Sequence, residues 1–285
     1  MPTCGTDPVE DRHAAVSKVM IACDAAAFAY PGTGPIFDAF TWHVSRGETW
    51  AILGPSGCGK STLLLLLAGL LHPQSGVVLV DDQPLQRARP STGLILQEYG
   101  LLPWATVRAN IELGLRIRRF YGPDGRHAPR GQRLPQEHLR ERVHHWMTHL
   151  DLLDIADRYP GEISGGQRQR VAIARVMVMS PDLLLMDEPF SALDAPTREG
   201  LQQLTLGICA QAGMTVVLVT HSIEEAAYIG QKVLLLGKPP HRSATVITQG
   251  HEIDETYRSS AAYHAACTEL RRHMSIDPAT NGRSP

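Results

Sequence analysis

The chain has 285 residues, of which 43% are hydrophobic and 20% are charged, and its formal net charge is −2. This length suits one large domain or two modest ones, and a charge near zero gives no indication of a nucleic-acid-binding protein. The five cysteines form no Cys-x-x-Cys pair, which argues against a disulfide framework or a zinc site and favours a reducing compartment. The longest apolar run, Leu63–Leu71, is far shorter than the ~20 residues that span a bilayer, so we expect no membrane crossing.

Short apolar runs alternate along the chain with longer helical patterns. The runs that predict strands are Thr49–Leu53, Val77–Val80, Thr92–Leu96, Leu183–Met186, Val216–Thr220 and Val233–Leu236. The patterns that predict helices are Lys60–Leu70, Gln167–Met179 and Thr197–Ala212, the last with Pro196 before it and Gly213 after it. Several runs are apolar on both faces, as buried parallel strands are, so we predict an α/β fold with a sheet covered by helices.

The middle of the chain, residues 103–165, shows helical periodicity and no convincing strand. This pattern predicts a helical subdomain inserted into the α/β core. Within it, Arg116–Pro135 is rich in glycine, proline and arginine. A solvated loop is favoured there over a patch that contacts anions or lipids.

A phosphate loop lies between the first predicted strand and a predicted helix. Gly54–Ser61 fits the pattern Gly-x-x-x-x-Gly-Lys-Ser/Thr, whose glycines let backbone N–H groups face phosphate oxygens at a helix N-terminus. Lys60 is expected to reach the β- and γ-phosphates, and Ser61 is expected to coordinate Mg²⁺. Cys58 is either a redox sensor or, as we favour, a small residue in a small space. The residues expected to bind nucleotide here are Gly54, Pro55, Ser56, Gly57, Cys58, Gly59, Lys60, Ser61 and Thr62.

Two carboxylates, Asp187 and Glu188, follow the strand that is predicted to end at Met186. The turn at a strand end can bring both near the phosphates, where an Asp can hold Mg²⁺ and a Glu can accept a proton from attacking water. The alternative is a pair of exposed carboxylates that cap a strand. His221 and Gln97 likewise follow strands, and could reach the γ-phosphate and the metal or water, respectively.

A second glycine-led helix start lies in EISGGQRQRVAIAR, residues 162–175. Ser164 can cap this helix, and Gly165 and Gly166 leave its first N–H groups uncovered. A helix N-terminus of this kind favours an anion, as the phosphate loop does. The chain therefore contains two starts that suit a phosphate.

Together these segments resemble the ATP-binding subunit of an ABC transporter, in the family's order from about Val19 to Leu236. The matching motifs are GPSGCGKST as the phosphate loop, Gln97 as the glutamine loop, Ile163–Gln167 as the signature, LLLMDEP as the second nucleotide motif, Ser191–Asp194 as the dimer-contact loop and His221 as the switch histidine. The signature usually begins with Leu, so Ile163 is a conservative departure. LILQEYGLLPWATVRANI, FSALDAPTRE and THSIEEA further resemble the importers of the nitrate, sulfonate and taurine group.

The resemblance implies a P-loop NTPase core with a mostly parallel sheet, an N-terminal antiparallel β region and an inserted α-helical subdomain. It implies hydrolysis of ATP with Mg²⁺, and it assigns Tyr30 as the aromatic residue that stacks on adenine. Phe28 is the competitor, and Tyr30 is favoured because it abuts a Pro-Gly turn that can present its ring. It also implies that the signature residues serve the γ-phosphate bound to a second subunit. The implied catalytic residues are Glu188, His221 and Gln97, the metal ligands are Ser61, Gln97 and Asp187, and the signature contacts are Ser164, Gly165, Gly166 and Gln167.

The resemblance also implies a head-to-tail homodimer on the cytoplasmic face of a bacterial inner membrane. This dimer would dock onto permease subunits fed by an extracytoplasmic solute-binding protein, with no nucleic-acid partner. A non-transport ABC ATPase that acts on a macromolecular complex is the alternative. Trp104 either packs in the helical subdomain or contacts the membrane partner. The expected organisation is one domain at 18–250 with a helical subdomain at about 103–180, a disordered extension at 1–17 and a helical tail at 251–285.

Overall fold

The computed structural model describes residues 19–121, 136–249 and 256–275. The strands in this part of the chain are β1 (Val19–Phe28), β2 (Phe37–Ser45), β3 (Thr49–Leu53), β4 (Ser75–Val80), β5 (Gln83–Pro84), β6 (Thr92–Ile95), β7 (Leu183–Asp187), β8 (Thr215–Thr220), β9 (Lys232–Leu235), β10 (His241–Ser243) and β11 (Thr245–Thr248). The α-helices are α1 (Lys60–Leu67), α2 (Val107–Tyr121), α3 (Gln136–His149), α4 (Gly165–Met177), α5 (Ala195–Gln211), α6 (Ile223–Ile229) and α7 (Ala261–Ser275). The expected N-terminal extension, most of the arginine-rich segment and the ends of the C-terminal tail lie outside the described residues.

Two sheets form the scaffold. The six-stranded sheet has the order β11-β9-β3-β8-β7-β6, in which only β11 runs antiparallel to its neighbour. The five-stranded sheet has the order β10-β2-β1-β4-β5; β1, β2, β4 and β5 pair in antiparallel fashion, and β10 joins β2 in parallel. The predicted mostly parallel core and the antiparallel region before it are both confirmed.

The run Val77–Val80 belongs to the antiparallel sheet, as part of β4. Only Val78 and Val80 are buried in it, which is the alternation of a strand with one covered face. The strands of the other sheet are different. Every residue of β3 and β8 is buried, since helices or the antiparallel sheet cover both faces.

Two apolar cores lie on opposite faces of the parallel sheet. Trp50 and Ile52 belong to the core that contains α1 and the antiparallel sheet. Ala51 and Leu53 belong to the core that contains α2 to α7. Successive residues of a strand point to opposite faces, so this division follows directly from the apolar run.

Helices α2, α3 and α4 follow one another between the neighbouring strands β6 and β7. Ile111, Val143 and Ile173, one from each helix, belong to a single buried cluster. The described residues between β6 and β7 contain no strand, as the helical periodicity predicted. Among the helices that the structure describes, none has the length and apolar character needed to cross a membrane.

Candidate functional site

A cleft of about 1050 Å³ lies at the carboxyl edge of the parallel sheet. The segments that follow β3, β6, β7 and β8 all contribute to it, because parallel strands end at the same edge of a sheet. Predicted site residues in its lining are Tyr30, Ser56, Gly57, Gly59, Lys60, Ser61, Thr62, Gln97, Glu188 and His221. Residues that lie up to 191 positions apart in the sequence thus line a single cleft.

The phosphate loop joins β3 to α1. Gly59 precedes the helix with φ +104°, and a Cβ atom there would lie 2.5 Å from Cγ2 of Ile36, so glycine is required. No side chain caps the first turn of α1. Its N–H groups are therefore available to an anion at the positive end of the helix dipole.

Lys60 is buried and braces the loop. Its Nζ donates to the carbonyl oxygens of Gly54 at 2.9 Å and Pro55 at 3.0 Å. An ammonium group has three donors, so one N–H remains for a ligand. Gly54 and Pro55 thus support the loop from behind and do not line the cleft.

Cys58 also lies behind the loop, with 2% of its surface exposed. Burial raises the pKa of its thiol, against the opposing charge of Lys60. Its carbonyl oxygen lies 2.7 Å from Nε2 of His241, which ties the loop to β10. A buried thiol with a raised pKa has little thiolate, which argues against the redox-sensor alternative.

Tyr30 and Phe28 differ in exposure. Tyr30 is 39% exposed and lines the cleft, whereas Phe28 is 7% exposed. Their rings meet edge to face with centroids 5.0 Å apart, and the Tyr30 hydroxyl lies 3.4 Å from Oγ1 of Thr62. Phe28 therefore supports a ring that Tyr30 presents, which is the arrangement expected of an aromatic residue beside a base.

The three residues predicted to hold a metal lie beside the phosphate loop. The Ser61 hydroxyl donates to Oδ1 of Asp187 at 3.2 Å, and Gln97 lines the same cleft. Burial raises the pKa of Asp187, and the adjacent charge of Glu188 adds to the effect. Hydroxyl, amide and carboxylate oxygens are ligands that Mg²⁺ prefers, and a dication would neutralise the two neighbouring carboxylates. These residues therefore fit a magnesium ion.

Glu188 lies at a constrained turn after β7. Its φ is +45°, and its N–H donates to the carbonyl oxygen of Val219 at 2.9 Å. The Ser191 hydroxyl donates to the carbonyl oxygen of Glu188 at 3.0 Å. Nδ1 of His221 lies 2.9 Å from Oε2 of Glu188, so the imidazole N–H can hold the carboxylate. A carboxylate oriented in this way can act as a general base towards a water molecule in the cleft.

The second glycine-led start forms the N-terminus of α4. Oγ of Ser164 accepts from the Gln167 N–H at 3.2 Å, and Oε1 of Gln167 accepts from the Ser164 N–H at 2.9 Å. The predicted cap at Ser164 is confirmed, in the form of a capping box. Ser164, Gly165, Gly166 and Gln167 do not line the cleft of their own chain, so the structure does not bring them together with the phosphate loop.

Further cleft residues were missed by the sequence reasoning. They are Thr33, Gly34, Pro35 and Ile36, which follow Tyr30, together with Pro239 and Pro240, which follow β9. The run Val233–Leu236 was predicted as a strand of the sheet. The segment after it could therefore have been expected at the same edge as the phosphate loop.

Trp104 is 74% exposed, which excludes the first of its two alternatives, packing in the core of the helical subdomain. The buried Asn110 holds the loop that presents it. Oδ1 of Asn110 accepts from the Leu102 N–H at 2.8 Å, and its Nδ2 donates to the Leu102 and Ala105 carbonyls at 3.1 and 3.0 Å. The tryptophan thus projects from an ordered loop shortly after Gln97.

Comparison with known proteins identifies a family for this chain. The family model described as "ABC transporter" matches residues 37–191. A taurine import ATP-binding protein of Chromobacterium violaceum is 40% identical over 78% of this chain and 80% of its own length. An aliphatic sulfonates import ATP-binding protein of Bacillus cereus is 36% identical over 76% and 79%, respectively. A nitrate import ATP-binding protein of Synechococcus elongatus is 41% identical over 83% of this chain and 34% of its own length.

Solved structures lead to the same family. The ATP-binding cassette MJ0796, determined as a dimer in a post-hydrolysis state with ADP and phosphate, superimposes with a TM-score of 0.68. It is 29% identical, and the match covers 82% of this chain and all of that one. The ordered motifs, the fold and these similarities lead to one conclusion: the chain belongs to the ABC transporter family.

Proposed function

We propose that this chain is the ATP-hydrolysing subunit of an importer for a small solute of the nitrate, sulfonate or taurine type. The observation that carries the proposal is that the phosphate loop and the Glu188–His221 pair line one cleft, where Asp187 is hydrogen-bonded to Ser61 of that loop. The solute class is supported by the relatives, whose names are those of import ATP-binding proteins. A non-transport ABC ATPase is not favoured, because these relatives match most of the chain.

The reaction is the hydrolysis of ATP to ADP and phosphate. The uncapped N–H groups of α1 and the remaining N–H of Lys60 hold the phosphates, and Tyr30 stacks on the adenine. Ser61, Asp187 and Gln97 hold the metal site, where Mg²⁺, when bound, neutralises charge on the phosphate oxygens. Glu188 orients the attacking water and accepts its proton, while His221 keeps the carboxylate in place.

The signature residues act on the nucleotide of a second subunit. Ser164 caps α4, and neither it nor Gly165 and Gly166 line the cleft of their own chain. A head-to-tail dimer would bring this helix to the γ-phosphate bound by the partner. Nucleotide binding would then close the dimer, by favouring the closed state over the open one.

Permease subunits would dock beside Gln97. Leu96 and Trp104 are 42% and 74% exposed there, and large exposed apolar side chains are enriched at interfaces. We further propose the cytoplasmic face of an inner membrane as the location and an extracytoplasmic solute-binding protein as the indirect partner. The whole range 18–250 would act as one domain, with the helical subdomain at about 103–180 linking the permease to the cleft.

The variant Glu188→Gln tests the hydrolytic role. It keeps the side-chain volume and removes the base, so ATP binding should remain while the rate of hydrolysis falls by about 100-fold or more. Glu137→Gln, at an exposed position in the first turn of α3, is the matched control and should retain full activity. Normal turnover in Glu188→Gln would reject Glu188 as the base.

The variant Ser164→Arg tests the dimer. A long cation at the helix start should leave binding of ATP by the separate chain intact while it blocks dimer closure and hydrolysis. Nucleotide binding and the molar mass in the presence of ATP are measured together in Ser164→Arg and in the wild type. Full activity of this variant would contradict the role given to α4.

A further inference from the structure

The segment 256–275, named here the C-terminal clamp, packs on α6. Tyr263, Cys267 and Leu270 of the clamp lie in the same buried cluster as Tyr228 and Ile229 of α6. The N-cap of α6 is the residue that directly follows His221. The clamp therefore contacts the short helix that begins two residues after His221.

A chain of polar contacts runs from the clamp into α6. The Arg258 guanidinium lies 3.6 Å from the ring centroid of Tyr228, and it donates to Oε1 of Gln202 on α5. Nε2 of Gln202 in turn donates to Oε1 of Glu225 at 2.8 Å. Gln202 is 1% exposed and Glu225 is 6% exposed, so solvent cannot replace these partners.

Glu225 contacts the segment that carries His221. Its N–H donates to Oγ of Ser222, the residue directly after His221, at 3.1 Å. The Ser222 N–H donates to Oγ1 of Thr220 at 3.0 Å, which closes the loop on itself. These two hydrogen bonds therefore connect Glu225 to the residues immediately before and after His221.

Burial of a carboxylate is costly. Burial raises the pKa of Glu225, although the neighbouring Thr220 and Gln202 oppose the shift. A buried charge is weak support for stability, since apolar residues of similar volume are often as stable. A buried polar network instead restricts the number of arrangements that a loop can adopt. The loop restricted here is the one that aims His221 at Glu188, 2.9 Å away.

We propose that Arg258, Gln202 and Glu225 are positioning residues, through which the C-terminal clamp sets the rate of ATP hydrolysis by holding His221 against Glu188. The proposal rests on the proposed function, in which His221 orients the general base. It assigns a role to a part of the chain that lies outside the matched range of the family model. Loosening of the clamp should therefore lower turnover without lowering the affinity for ATP.

Arg258→Met in the full chain is the test, with Arg272→Met on the exposed end of α7 as the matched control. Loss of a hydrogen bond to a buried amide should lower kcat about tenfold, while KM for ATP stays within about twofold. Arg258→Lys keeps the positive charge near Tyr228 and should recover part of the activity. A rise in KM with unchanged kcat, or an equal loss in the control, would overturn the proposal.

A double-mutant cycle separates positioning from a general effect on the fold. In a His221→Ala background, Arg258→Met should cause no further loss of kcat, because the residue through which it acts is gone. A full tenfold loss in that background would show that Arg258 acts elsewhere. Thermal unfolding of each variant shows that the chains compared are folded.

Hydrogen–deuterium exchange provides a readout that requires no activity. Amides of residues 220–229 should exchange faster in Arg258→Met than in the wild type. In the control Arg272→Met they should exchange at the wild-type rate. Unchanged protection of this stretch in Arg258→Met would refute the clamp. If the wild type did not hydrolyse ATP, the proposed function would fail, and the exchange result would still decide whether the clamp holds the loop.

Discussion

Arg175 lies in α4 and joins this helix to the glutamine loop, defined here as residues 96–106. Its replacement by Met should weaken the packing of the loop against α4. Nη1 donates to the Gly100 carbonyl at 2.5 Å, and Nη2 donates to the Tyr99 carbonyl at 2.7 Å. Tyr99 and Gly100 both have positive φ, at 61° and 58°, so this turn is held in a conformation that a non-glycine residue disfavours. Arg175→Met removes both donors and keeps most of the apolar stem.

The expected loss of stability depends on which carbonyl oxygen loses its hydrogen-bond donor. The Gly100 carbonyl bond is exposed, so water can replace the guanidinium there, whereas the Tyr99 bond is partly buried. A hydrogen bond to a charged group contributes about 1.5–3 kcal/mol. Burial lowers the pKa of Arg175, which shows that desolvation opposes the charge and places the cost towards the lower half of that range. We expect a loss of about 2 kcal/mol in the free energy of unfolding, or roughly 4–8 °C in Tm.

Thermal unfolding followed by circular dichroism measures this change. Arg175→Lys, which reaches one carbonyl, should lose about half as much, and Arg272→Met should lose about 0.5 kcal/mol or less. Because the bonds join α4 to the loop that contains Gln97, exchange of amides in 96–106 should also rise in Arg175→Met. An unchanged Tm together with unchanged exchange would refute the reasoning.

Three other outcomes are expected. Gly54→Ala should weaken both folding and ATP binding, because its Cβ would lie 2.3 Å from the Leu236 carbonyl oxygen; a wild-type Tm and Kd would contradict this. Cys58 should react slowly with iodoacetamide in the native chain near pH 8, since a raised pKa leaves less thiolate, and the reaction should become faster at higher pH or when the chain unfolds. Mass spectrometry of the Cys58 peptide measures the labelling rate, and rapid labelling of the native chain would count against burial. Tyr30→Ala should raise the Kd for ATP about fivefold, by loss of ~1 kcal/mol of stacking, while Tyr30→Phe should bind nearly as well as the wild type; equal affinity for all three would remove Tyr30 from the site.

Local signals were sufficient for most elements around the parallel sheet, namely strands β3, β6, β7, β8 and β9 and helices α1, α4 and α5. The run TWAIL is apolar throughout and became β3, with all five residues buried, because a strand covered on both faces needs no polar side. Pro196 and Gly213 marked the ends of α5 within two residues, since each restricts the backbone in its own way. The phosphate loop was predicted from a motif of eight consecutive residues and its place between a predicted strand and helix, both of which are local in the sequence.

Other elements carried weak local signals. β1 reads VMIACDAAAF and contains four alanines, so its strand character depends on its partners β2 and β4. α6 has only seven residues and is too short for a periodic pattern. Its start at Ser222 and its contacts with the C-terminal clamp became visible only in the folded chain.

By itself, the sequence determined the family, the α/β class and the identity of the residues that belong to each motif, since each depends on neighbours along the chain. The tertiary structure decided which of them meet. Ser61 and Asp187 lie 126 positions apart and share a hydrogen bond because two parallel strands end at one edge. The exposure of Trp104 and the link from Arg258 through Gln202 to Glu225 were likewise decided by tertiary packing, because burial and long-range hydrogen bonds depend on the whole surface that surrounds a residue.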